Sequence, residues 1–266
     1  MSKKYDLLLA VFLMISLASC TAIKGTPFPI PQELSIEEHA LTQRPEAEYT
    51  RLYFAEDTQE QILAKHASER SRIISFMDRS CNVENHFGQC AALGADQLAA
   101  WIDDPSGLSA TVNVTVTRNG SRIYQIPVGD NSPIDSLRGL WTFGDHWALE
   151  TAFVTNHQTG NVIDSRATGQ VSVDGELLNK QMGYQEAFGF QTMHGRMFYF
   201  FKQHQKIDAV YNEVTIPLGY SEIPHYGCCS AASLNPRVAQ NMVAFFARKG
   251  SRWYYVEIGV FEPTAP

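Results

Sequence analysis

Three observations predict an α+β fold that is mainly β. After Gly107 the apolar residues fall into period two, with Val112, Val114 and Val116 alternating with Asn113, Thr115 and Thr117. Short turn signals then recur, first Asn119-Gly120, then Asp174-Gly175, His194-Gly195 and Lys249-Gly250-Ser251. Before Gly107 the chain instead shows capping boxes and charged stretches without alternation. The expected architecture is a helical segment over residues 35–106 packed on an antiparallel β-meander domain over residues 107–266. That domain is a sandwich, an open barrel or a set of propeller-like blades.

The first twenty residues carry the clearest single signal. Lys3 and Lys4 precede an apolar run from Leu7 to Leu17, which is too short to span a bilayer and suits the core of an export signal. It ends in Leu17-Ala18-Ser19-Cys20: an aliphatic residue, two small residues and a cysteine. This stretch resembles the lipobox of bacterial lipoproteins. The resemblance covers residues 1–20 and implies removal of residues 1–19, acylation of the Cys20 sulfur, and a membrane-anchored, extracytoplasmic protein. Thr21 in place of an aspartate leans towards the outer membrane if the cell is Gram-negative. Otherwise the expected location is the outer face of the cell membrane. Residues 20–34 read as a tether, because Thr26-Pro27-Phe28-Pro29-Ile30-Pro31 favours an extended, semi-rigid chain.

Composition narrows the function classes. The chain has 266 residues and is 44% hydrophobic, enough for a substantial core. No second long apolar run follows the signal, so no transmembrane helix is expected after it. The formal charge is −7. Without a basic cluster, nucleic acid is a poor partner, as is anionic lipid beyond the anchor.

Three helices are expected in the N-terminal segment. Ser35 with Glu38 forms a capping box that starts one reaching about Gln43, and Pro45 ends it. Thr58 with Gln61 starts a longer one through Met77. Ala95 to Ile102 is read as a third, with Leu98, Trp101 and Ile102 inward, stopped by Asp103-Asp104-Pro105-Ser106-Gly107. Beyond Gly107, strands are expected at 112–117, 122–128, 146–154, 169–173, 188–193, 197–202, 206–211, 214–218, 242–248 and 252–261. A weak repeat runs through them: Gly144, Gly195 and Gly250 each precede an aromatic (Trp147, Phe198, Trp253) by three residues, and Gly183-Tyr184-Gln185-Glu186 returns as Gly219-Tyr220-Ser221-Glu222.

The densest candidate for chemistry is Ile223-Pro224-His225-Tyr226-Gly227-Cys228-Cys229-Ser230, in a long inter-strand connection. Besides Cys20 there are four cysteines, 81, 90, 228 and 229. An even number in an exported chain favours disulfides. Three pairings are open, with Cys81–Cys90 favoured as the short local one. A zinc site using His225, Cys228 and Cys229 would have poorly chelating adjacent thiols, and no cofactor or metal is expected. A thiol nucleophile at Cys228 or Cys229 would need His225 or a distant histidine as base. A ligand-binding loop would use His225, Tyr226 and Tyr220 as stacking surfaces. The acidic residues Asp145, Glu150, Asp164, Asp174, Glu186, Glu213, Glu222 and Glu257 are scattered, and no spacing singles out a pair.

The leading expectation is therefore a binding or structural envelope lipoprotein without catalysis. Its partners would be the membrane, through the N-terminal lipid, and a small-molecule or glycan ligand or an envelope protein. The alternative is an envelope hydrolase with a Cys228 or Cys229 thiol and a histidine base.

Overall fold

The structure, a computed structural model, describes residues 31, 33–45, 80–83, 86–103, 112–130, 136–160, 162–226 and 235–260. Their strands form four separate sheets, and every pairing between named strands is antiparallel. The first sheet runs in sequence order through β2 (Ser80–Val83), β3 (His86–Leu93), β4 (Asp96–Asp103), β5 (Asn113–Arg118) and β6 (Ser121–Pro127). The second holds β7 (Leu137–Phe143), β8 (His146–Thr159), β9 (Val162–Val173) and the two-residue β10 (Glu176–Leu177). A five-residue helix, α1 (Leu178–Met182), leads to the third: β11 (Glu186–Met193), β12 (Arg196–Gln203), β13 (Lys206–Tyr211) and β14 (Val214–Tyr220). The fourth contains β15 (Arg237–Val238), β16 (Met242–Lys249), β17 (Arg252–Val260) and, from the other end of the chain, β1 (Leu34–Ala40).

The repeat seen in the sequence marks equivalent turns. Gly144, Gly195 and Gly250 sit in the hairpins β7–β8, β11–β12 and β16–β17, all with positive φ. Gly94 holds the same place between β3 and β4, with φ +59°. The spacings between these four glycines are 50, 51 and 55 residues. A second set of turns joins the last two strands of the first three sheets: Asn119-Gly120, Asp174-Gly175 and Asn212-Glu213, each with both residues at positive φ. That is the backbone of tight hairpins, and it normally calls for glycine at its second position. Glu213 (φ +66°) and Gln205 (φ +63°, between β12 and β13) adopt it with full side chains.

Two predicted helices are strands. Of the predicted helix at 35–43, residues 35–40 form most of β1, which pairs with β17 from Leu34↔Val260 to Ala40↔Tyr254. The apparent capping box fails because Glu38 accepts hydrogen bonds from Tyr220 and Lys249 on the neighbouring strands instead of closing a helix end. Residues 95–102 form β4, paired with both β3 and β5. Leu98, Ala99, Ala100 and Trp101 are all buried: Leu98 and Ala100 belong to the core shared with the second sheet, and Ala99 and Trp101, on the other face, are covered as well. A strand buried on both faces loses its alternation and reads like a helix segment. Among the described residues of 35–106 there is no helix to pack on the sheets, and the one described helix, α1, lies later in the chain against β9. The predicted helix at 58–77, the tether before Pro31, the signal segment with Cys20, and Cys228 and Cys229 lie outside the described residues.

Cys81 and Cys90 form a disulfide across the β2–β3 hairpin, with Cα atoms 5.9 Å apart. This is the local pairing of the three open in the sequence.

The core sits between successive sheets. Leu98, Val114, Leu140 and Trp147 join the first to the second. Trp141, Phe190, Tyr199 and Phe201 join the second to the third. Phe188, Phe198, Phe200, Phe245, Val256 and Leu34 join the third to the fourth. The aromatic run at 198–201 is thus core on both faces, as strand aromatics usually are. Between the second and third sheets, β11 packs against β7, β8 and β9, and the candidate site lies there.

Candidate functional site: a buried carboxylate network and an aromatic pocket

Of the residues singled out in the sequence, His225 and Tyr226 come together in the described part of the connection that follows β14. The His225 ring lies flat on Phe188, centroids 3.6 Å apart and planes 2° from parallel. Its Nδ1 faces the Ile223 carbonyl oxygen at 2.6 Å and its Nε2 faces Glu186 Oε1 at 3.0 Å. Both are acceptors, so only a ring protonated on both nitrogens serves both contacts. The Tyr226 hydroxyl donates to Glu150 Oε1. The Arg138 guanidinium lies over the Tyr226 ring, 4.8 Å from its centroid. Glu150 is only 4% exposed, and its second oxygen accepts the Phe190 N–H at 2.6 Å.

Strand chemistry positions these groups. Glu150 on β8 and Glu186 on β11 are brought near by the close approach of β9 to β11 at Gly169. A Cβ there would lie 2.4 Å from the Ala187 carbonyl oxygen and 2.9 Å from the Tyr226 hydroxyl, so only glycine fits. The Gly169 N–H donates to Glu186 Oε1 at 2.9 Å, and its carbonyl accepts from Asn179 on α1.

The electrostatics fix the protonation of two members. Burial first, and then the negative Glu150, push the Tyr226 phenol well above its ordinary value, against the opposing pull of Arg138. Tyr226 therefore stays a neutral donor. Burial alone would raise Glu186, but the His225 hydrogen bond and charge, the Gly169 N–H and Lys202 outweigh it and hold the carboxyl below its ordinary value. A carboxyl depressed on folding stabilises above its unfolded value, here 4.5, and that contribution drains away as pH falls through the lower folded value. The urea midpoint of the wild-type chain is expected to fall on acidification below about pH 4.5, and that of Glu186→Gln to fall less over the same interval. Parallel acid profiles for the two would show that the Glu186 pair contributes nothing.

Chemically, this network is occupied. Both Glu150 oxygens and both His225 nitrogens are engaged, and Tyr226 is held protonated. Tyr220 does not join it. Its hydroxyl donates to Glu38, its ring packs edge-on against Phe245, and Lys249 lies 5.1 Å above it. Among the described residues no group of three or more His, Cys, Asp or Glu is placed to hold a metal ion. Sequence reasoning named Glu150 and Glu186 only among scattered acids and did not name Arg138. The recurring Gly-Tyr-x-Glu at 183–186 was the one local hint.

Apart from the network, a cavity of about 410 Å³ opens between the β9–β10 turn, α1 and the β13–β14 turn. Its floor is Tyr184, Tyr199, Met197 and Val210, and α1 supplies Leu178 and Met182. Tyr184 stacks on Phe201 at 4.2 Å, and the Tyr184 and Tyr199 rings lie 6.4 Å apart. Burial raises both phenols above their ordinary values, and they share a hydrogen bond. Met182, at 51% exposed, is one of two exposed large hydrophobic residues among the described residues. Asp174, Glu176 and Glu213 stand at the rim. Asp174 pairs with His146 at 2.5 Å and accepts the Trp147 N–H at 3.0 Å.

No family model and no curated protein matches the chain.

Proposed function

We propose that the chain is a lipid-anchored, extracytoplasmic binding protein that holds a small apolar or aromatic ligand over Tyr184 and Tyr199. Cys20, at the end of the lipobox-type segment, carries the anchor, and the following tether holds the domain off the membrane. The four meanders act as propeller-like blades, the last completed by β1. They form a rigid scaffold for the pocket between the second and third. One observation carries the reading: an apolar, tyrosine-floored cavity of about 410 Å³ stands open, with an exposed methionine at its mouth. Its size and lining suit a small-molecule site. The neighbouring Glu150–Tyr226 and Glu186–His225 pairs support binding rather than catalysis, because their polar atoms are spent on one another and on the backbone.

Binding of the neutral fluorophore N-phenyl-1-naphthylamine to the chain from residue 20 onward, produced without its acyl group, tests the pocket. Saturable fluorescence enhancement is expected, weakened roughly tenfold or more by Tyr184→Ala, which removes a large stacking surface. An unchanged titration for Tyr184→Ala would sink the reading. The anchor is checked separately: fatty-acid labelling and membrane association are expected to disappear in Cys20→Ala.

A further inference from the structure

The pocket joins an apolar floor to a rim of one charge sign. Its ionisable lining groups apart from the tyrosines are all carboxylates: Asp174, Glu176 and Glu213. Asp174 is partly neutralised by His146, whose own proton is held more firmly by the Asp174 hydrogen bond and charge. The side chains of Glu176 and Glu213 form no hydrogen bond or ion pair among the described residues; Glu213 acts on the His146 proton through charge alone, behind Asp174 and Asp145.

The position of Glu213 adds an independent cost argument. It occupies the second place of a tight turn at φ +66°, where the equivalent turns of the first two sheets carry Gly120 and Gly175. A side chain there is strained, and glycine would relieve it. Here a carboxylate is held at the mouth of the cavity despite that strain.

We propose that the pocket selects an amphipathic organic cation: an ammonium group on an aryl or short alkyl tail. The tail lies over Tyr184 and Met197, and the ammonium stays at the rim between Glu176 and Glu213. A bare metal ion does not fit this arrangement, because the floor is apolar. An anionic ligand would meet like charge at the mouth. Opposite charge at the rim attracts the cation, and the tyrosine rings add cation–π attraction for a polarised N–CH₂ group. This inference rests on the binding reading above and narrows it to one ligand class.

Three compounds with the same tail separate the two claims: 4-phenylbutylamine, 4-phenylbutan-1-ol and 4-phenylbutyrate, titrated calorimetrically into the unlipidated chain from residue 20 onward. The amine is expected to bind about tenfold more tightly than the alcohol, and the carboxylate most weakly. The preference should shrink in roughly 0.5 M salt, which screens exposed charges. Glu176→Gln with Glu213→Gln should bring the amine down to the level of the alcohol while leaving the alcohol unchanged. Glu213→Gly should raise the melting temperature and still weaken the amine, which excludes misfolding as the cause. Equal binding of all three compounds, abolished by Tyr184→Ala, would overturn the cation proposal and leave the binding reading standing. An amine preference untouched by the double glutamine variant would also overturn it. No binding by any of the three would overturn both.

Discussion

Glu150→Ala is expected to cost about 2–6 kcal/mol of folding stability, because it leaves two buried donors unsatisfied. The carboxylate is 4% exposed and accepts from the Tyr226 hydroxyl and from the Phe190 N–H. Alanine leaves both donors buried without an acceptor, beneath the Arg138 guanidinium that lies over the Tyr226 ring. An unsatisfied buried donor costs roughly 1–3 kcal/mol by itself. The loss is large beside a typical domain stability of about 5–15 kcal/mol. Two further substitutions grade the effect. Glu150→Gln keeps one carbonyl acceptor but turns an N–H₂ towards the second donor, so it should fall between wild type and alanine. Tyr226→Phe removes one donor and leaves the Phe190 bond intact, so it should cost less than either. Urea unfolding at neutral pH reads all three. A loss below about 1 kcal/mol for Glu150→Ala would mean that water enters and replaces the carboxylate, so that the network is not a stabilising core element.

The same network shows where the sequence was readable and where it was not. The hairpins after Gly107 were legible because a local cause produces them. Asn119-Gly120 and Asp174-Gly175 are residue pairs that adopt two successive positive φ values cheaply, and Lys206–Tyr211 emerged with its observed limits. β4 was not legible, because Leu98 to Trp101 are buried on both faces and carry no period. β1 misled for a different reason. Ser35 and Glu38 have the right spacing for a helix cap, and the contacts that decide against it come from Tyr220 and Lys249, about two hundred residues away. Glu150, Glu186 and His225 likewise come from distant parts of the chain, and their approach needs Gly169, whose missing side chain is a tertiary requirement. A lone glycine in a strand hints at close approach, but it does not name what approaches. The pocket had no sequence signature, because its lining comes from β9, β10, α1, β12, β13, β14 and the turns between them, each unremarkable alone.

Removal of β1 is expected to abolish the folded state. Leu34 to Ala40 cover seven consecutive positions of β17, from Val260 to Tyr254. Without them β17 becomes an open edge, its backbone groups lose partners worth about 0.5–1.5 kcal/mol each, and the buried Leu34 is lost, worth roughly 1.5–3 kcal/mol. Val256, Ile258 and Val260, now buried at the junction of the third and fourth sheets, would be uncovered on a strand with a free edge, which invites aggregation. A chain beginning after Leu41 should therefore appear in inclusion bodies or as soluble aggregates, with no cooperative melting transition. Loss of residues at one end cannot by itself distinguish a missing strand from a damaged start, so the geometry offers a stricter form of the test. β1 enters antiparallel to β17 with Leu34 opposite Val260, so the C-terminal end of β17 faces the N-terminal end of β1. Moving residues 33–41 from the front of the chain to a short Asn-Gly turn after Val260 would make the fourth sheet a continuous meander like the other three. That permuted chain is expected to recover a cooperative transition within about 1–2 kcal/mol of the original, since loop-closure costs change only slowly with connection length. Failure of the permuted chain, with the original order folded, would show that β1 is fixed by what precedes it and not by its pairing with β17.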